Sequence, residues 1–133
     1  MQVVLLASVV HVSAAVFWAG STFAALRRDI SPSLLKALFV PQLGASWWAI
    51  VSGGFLYWRM YAGASPSMNI LLLHTGAAAG ILAAFCNAIV VGLSLRRAGG
   101  SPQEVPAAAR AGQRITAVLL GVAVLAMSAF RFA

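Results

Sequence analysis

Four long apolar runs, at about residues 3–26, 43–60, 69–95 and 107–130, take up most of this 133-residue chain. Each is close to the ~20 residues that a helix needs to cross the hydrocarbon core of a bilayer. Only 8% of the residues are charged, against roughly 25% in an average soluble domain. The links are too short to form a second domain. The expectation is therefore one all-α integral membrane domain over residues 1–133, an antiparallel four-transmembrane-helix bundle. Pro32 and Pro41 disfavour helical geometry in the residues before them, so 33–40 reads as a short interfacial helix ahead of span two. The Gly99-Gly100-Ser101-Pro102 run is a chain breaker, and Pro106 suits the first turn of span four.

The net charge of +7 is concentrated in two places. Arg27, Arg28 and Lys36 lie between spans one and two, while Arg96, Arg97, Arg110 and Arg114 flank the link between spans three and four. This is the positive-inside pattern, which predicts both links on the cytoplasmic side and both termini outside. Topology accounts for the basic balance without nucleic-acid binding. Span one lacks a charged leading segment and ends in a double arginine, so it reads as a mature helix rather than a signal peptide. The placement expected from this pattern is a bacterial inner membrane, with the lipid bilayer as the first partner.

Ionisable residues inside such spans are costly and point to function by default. The two histidines, His11 in span one and His74 in span three, fall in the same outer half, at depths of roughly 12 and 6 Å at ~1.5 Å per residue. Imidazole is a common metal ligand and an axial ligand of haem iron. The pair is therefore a candidate ligand set for one b-type haem. Ala14 and Ala15 follow His11 on its helical face, and Ala77 and Ala78 follow His74 likewise, leaving room for a flat ring. Gly53 and Gly54 belong at a similar depth. Gly76-x-x-x-Gly80 and the other small residues equally suit close helix packing.

Trp18, seven residues after His11, shares its face, whereas Trp47, Trp48 and Trp58 read as interfacial anchors. Arg59 and Arg131 are the basic residues of the outer side, where they would meet outward-facing propionates or simply reach the interface. Met60, Met68 and Met127 are thioether donors near the same surface and keep a copper site open as an alternative. Cys86 reads as a small buried apolar residue. Asp29 and Glu104, the only acidic residues, lie in the inner links, so no carboxylate proton relay is expected within the spans.

The segment His11-Val-Ser-Ala-Ala-Val-Phe-Trp18-Ala-Gly20 resembles the His-x6-Trp-x-Gly first helix of CopD-type copper-resistance membrane proteins and related haem-associated families. Leu73-His74-Thr75-Gly76 and Phe85-Cys86-Asn87 look like the membrane domain of cytochrome c-linked urate oxidases. Ala126-Met127-Ser128-Ala129-Phe130-Arg131 is similar to the small CopD-like group. The resemblance implies a haem or metal ligand at His11. Four-helix protoporphyrinogen oxidases, more distant relatives, carry a third-helix lysine that span three lacks, and no Cys-x-x-Cys-His segment is present. Neither enzymatic activity is carried over, and a reaction is left unassigned.

The leading expectation is a four-helix cytochrome with His11 and His74 on haem b, engaged in electron transfer or serving as a small subunit of a respiratory or oxidase complex. Its partners would be a redox protein and a larger membrane complex or further copies of itself. The alternatives are CopD-like copper transport and a cofactor-free accessory subunit.

Overall fold

The computed structural model describes residues 1–27, 29–99 and 104–130, and those residues are all-helical with no strand. Four helices follow one another: α1 (Gln2–Ala24), α2 (Pro32–Tyr61), α3 (Met68–Arg97) and α4 (Ala107–Phe130). Each is long and apolar enough to span a membrane. They run alternately up and down. At one end, Lys36 Nζ in α2 donates to the carbonyl of Gly99 just past α3 (3.1 Å); at the other, Tyr61 and Phe130 meet edge to face at 5.3 Å. The first is called the basic end and the second the terminal end.

Local chemistry sets the helix limits. Ser31 and Ser67 are extended N-caps whose hydroxyls accept from Leu34 N and Ile70 N, each satisfying one of the orphan amides of a first turn. Pro32 follows Ser31 in the position where its missing N–H costs nothing. Past α3, Gly99 has φ +76°, the left-handed conformation in which helices commonly stop. Arg27 and Asp29 pair at 2.9 Å in the exposed link after α1, and the hydrogen bond from Arg27 holds the Asp29 carboxyl below its ordinary range.

The expected break into 33–40 and 43–60 is absent, because α2 continues through Pro41 for 30 residues. The ring faces outward, where it displaces no packed neighbour. At ~1.5 Å per residue this helix is about 45 Å long. As a result Trp47 and Trp48 lie halfway along α2, 65% and 59% exposed, rather than at its beginning.

The bundle is two hairpins. α1 packs mainly on α2 and α3 mainly on α4, with far fewer contacts between the pairs. At the basic end the hairpins are joined by an apolar plug of Ala25, Leu35, Val91, Leu95, Val105 and Ala109. Next comes a buried amide triad. Gln113 Nε2 donates to Gln42 Oε1 (3.1 Å) and to Asn87 Oδ1 (3.3 Å), and Asn87 Nδ2 donates to Gln42 Oε1 (3.4 Å). Above it Trp18, Ala49, Ala83 and Leu120 pack together across all four helices.

Asn87 reaches the triad from a π turn, Asn87–Val91, where Gly92 N–H bonds back to Asn87 O. The wide turn presses on α4: a Cβ at Gly112 would lie 2.8 Å from Val91 Cγ2 and 3.0 Å from Val90 Cγ1. Gly112→Ala is thus expected to destabilise the bundle by about 1–3 kcal/mol, the usual scale of overpacking. Gly121→Ala, where a Cβ meets nothing within 4 Å, should not. Thermal melting of the two purified variants in the same detergent checks this, and equal melting points would refute the close approach.

Candidate functional site

His11 lies nine residues into α1 (2 to 11), on the face turned to α2. Its Nδ1–H donates to the backbone carbonyl of Ala49 at 2.8 Å, with Ser52 Oγ at 3.4 Å. Ser52 itself donates to Trp48 O within α2. The ring fits there because residue 53 is glycine: a Cβ would stand 2.8 Å from His11 Cε1. A carbonyl accepts only, so this bond fixes the proton on Nδ1 and leaves the Nε2 lone pair free. A carbonyl on the second nitrogen is the usual support of a ligating histidine, setting both its tautomer and its orientation.

His74, six residues into α3 (68 to 74), is held differently. It is exposed at the rim, its Nε2 hydrogen-bonded to Tyr57 Oη at 2.9 Å. The two rings are tilted at 48° with centroids 5.4 Å apart. To offer Nε2 to a metal, His74 would first have to leave Tyr57.

Both histidines line one half-enclosed cavity of about 630 Å³ between the hairpins. Ligand pockets typically run from about 300 to 1,000 Å³. Small side chains make the space: Ala15 and Ala19 of α1, Gly53 and Gly54 of α2, Gly76, Ala77 and Gly80 of α3, and Ala123 of α4 line it. Facing small residues ordinarily let helices close up. Here the Trp18–Leu120 layer below and the Tyr61–Phe130 contact above are bulky, and both pairs line the cavity they hold open.

The expected site residues divide accordingly. His11, His74, Ala15 and Trp18 come together on this cavity, Trp18 as its buried floor with 2% exposure. Ala78 does not join them. It is exposed on the outside of α3 while Gly76 and Ala77 face the space, because α3 is rotated so that the i+3 position after His74, and not i+4, points inward. Arg59 is exposed near the end of α2, its guanidinium 5.9 Å from the Trp58 ring centroid, and is not part of the lining. Arg131 lies outside the described residues.

Among the methionines, Met60 and Met127 line the cavity and Met68 does not. A Cβ at Gly76 would sit 2.8 Å from Met127 Cγ, so glycine again makes room for a potential donor. Cys86 is half-buried away from the cavity, with its thiol 3.6 Å from Gly112 O. No group of three or more His, Cys, Asp or Glu side chains suited to a metal ion occurs among the described residues. Tyr57 and Tyr61 are lining residues that sequence reasoning passed over. Their signal was present, since Tyr57 and Tyr61 lie four and eight residues beyond Gly53 on one helical face.

Comparison with protein-family models, curated proteins and solved structures gave no match. The likeness to CopD-type proteins therefore rests on the quoted residues alone.

The geometry makes a direct spectroscopic prediction. Nitrogen-15 spectra of the metal-free protein at pH 8 should show His11 protonated at Nδ1 and unprotonated at Nε2. Gly53→Ala should disturb the His11 resonances strongly and those of His74 little. A wild-type His11 protonated at Nε2 would contradict the Ala49 bond.

Proposed function

We propose that this chain is an integral membrane protein of the bacterial inner membrane that binds one b-type haem in the cavity between its hairpins and serves in electron transfer. Its links carrying Arg27, Lys36, Arg96 and Arg97 would face the cytoplasm, following the positive-inside pattern. The observation that carries this reading is His11: a histidine on a large apolar cavity, locked through Nδ1 onto the Ala49 carbonyl, with Nε2 unbonded.

The residues present fit the group. The cavity is roomy, its walls are alanine and glycine, and its aromatic edges, Trp18, Tyr57, Tyr61 and Phe130, suit a flat apolar ring. His11 would hold iron through Nε2. His74 is the second candidate, released from Tyr57, whose hydroxyl then stays at the rim as a hydrogen-bonding partner. Arg59, exposed at the terminal end, would meet anionic substituents that reach the surface. Bound haem would supply reversible one-electron chemistry, with a potential set by axial ligand, burial and nearby hydrogen bonds. The chain's own part is to orient the ligand ring, exclude water through the apolar walls and keep the pocket dry from below with Trp18 and Leu120. A redox protein, or a larger complex in which this chain is a small subunit, would deliver or remove the electrons.

A copper reading is favoured by one observation: Met60 and Met127 line the same cavity as the histidines. Thioethers with imidazole suit Cu(I). The same experiment separates the readings. Full-length protein purified in mild detergent after haem-sufficient expression should show a Soret band and a sharp reduced α band. His11→Ala should abolish haem retention, and Gly53→Ala, which moves the supporting shell, should weaken it by about 10–100-fold. His74→Ala should leave haem bound while changing the spectrum of the reduced form. Colourless protein holding one copper per chain would replace haem by copper, and folded protein binding neither would leave an accessory subunit.

A further inference from the structure

Below the cavity floor lies a set of polar groups that the haem reading does not use. Thr22, Gln42, Asn87, Gln113 and Thr116 are each 0–1% exposed. Although the amide triad bonds internally, Gln42 Nε2, Gln113 Oε1, Thr22 Oγ1, Thr116 Oγ1 and the indole Nε1 of Trp18 are buried without a partner among the described residues.

Two features set these orphans apart. Reversing all three amides together preserves every bond of the triad, with donors and acceptors exchanged. Gln42 is then left with an unpaired oxygen and Gln113 with an unpaired NH2, so one donor and one acceptor remain unpaired either way. Hydroxyls inside helices also have an easy partner in the carbonyl three or four residues earlier. Ser8, Ser21, Ser46, Thr75 and Ser94 all take it. Thr22 and Thr116, the two fully buried ones, do not.

The groups are also brought together by position. Thr22 is one turn beyond Trp18 on α1, and Thr116 is one turn below Leu120 and one turn above Gln113 on α4. Trp18 and Leu120 pack in one layer, and Gln113 lies in the triad with Gln42 and Asn87. The residues that carry the orphans therefore stand in or between these two layers.

We propose that this inter-layer space is a binding site for ordered water, held between Trp18 Nε1, Thr22, Thr116 and the free ends of Gln42 and Gln113. Its chemistry selects a small neutral ligand. Amide and indole N–H groups repel a cation, a carbonyl oxygen repels an anion, and no charged side chain belongs to the set. Waters, each of which donates and accepts up to two bonds, meet these five demands together and are the usual partners of buried polar groups left over by the fold. The water is retained because the plug of Leu35, Val91, Leu95 and Ala109 closes the basic end. Trp18, 2% exposed, lies between these groups and the cavity. The proposal does not depend on what fills that cavity.

The test is water-edited solid-state NMR of the full chain in lipid bilayers, read at the side-chain NH2 groups of Gln42 and Gln113, which do not line the cavity. Rapid magnetisation transfer from water to these protons in the wild type is the expected result, and their remaining dark would overturn the site. In Thr22→Val/Thr116→Val, which keeps shape and removes both hydroxyls, the transfer should be lost and the melting temperature should fall by a few degrees. Transfer that survives the double substitution would place the water elsewhere. A melting temperature that rises would mean that the hydroxyls had been dry, and would also overturn the proposal. Should the double variant fail to fold, the wild-type measurement still decides.

Discussion

The two hairpins are joined by a hydrogen-bonded meeting of Gln42, Asn87 and Gln113, and the rest of the structure depends on it. In a bilayer, helices this apolar would gain little from apolar attraction to each other, so packing and interhelical hydrogen bonds would have to hold them. The triad ties α2 to both α3 and α4, with a dry plug beneath it. With the hairpins pinned at this end, they need not close up above it, and the Tyr57–His74 and Tyr61–Phe130 contacts bridge them again at the rim. The cavity is the consequence of that asymmetry: contact is made where the amides meet, and space remains where glycine and alanine face one another.

Glycine has a second use within each hairpin. Gly53 admits the His11 ring from α1 and Gly76 admits Met127 from α4. In both cases a side chain with a potential donor atom is pressed against a neighbouring backbone and so loses rotamer freedom before any ligand arrives. Ordering a long side chain on binding costs free energy, and one already ordered avoids that cost. The helices that build the cavity thus also restrict its donors.

Much of this was legible in the sequence, and the failures have physical causes. Four apolar runs gave four helices, and the faces of His11, Ala15 and Trp18 were correctly phased because α1 is regular throughout. Ala78 failed because a spacing of three or four admits either Ala77 or Ala78, and only the packing of α3 on α4 decides that Ala77 is the one on the cavity. The extra interfacial helix failed because proline's local preference was outweighed by a helix that continues on both sides of it. Gln42 and Gln113 were passed over altogether. Each stood out as an amide in or beside an apolar run, but their meaning is a relation among three helices that no single run expresses.

The two histidines, alike in sequence, end unequal in structure. Both share a cavity, yet His11 spends its Nδ1 proton on a backbone carbonyl that cannot move without moving α2, whereas His74 shares Nε2 with a tyrosine hydroxyl at an exposed rim. Backbone support fixes a tautomer permanently; a side-chain partner can be given up and regained. A ligand entering the cavity therefore meets one nitrogen already presented and one that must be exchanged for Tyr57. The difference makes His11 the anchor and makes the His74–Tyr57 pair the part of the site able to respond to occupancy, so the second coordination position is decided by competition with a hydroxyl and not by the fold alone.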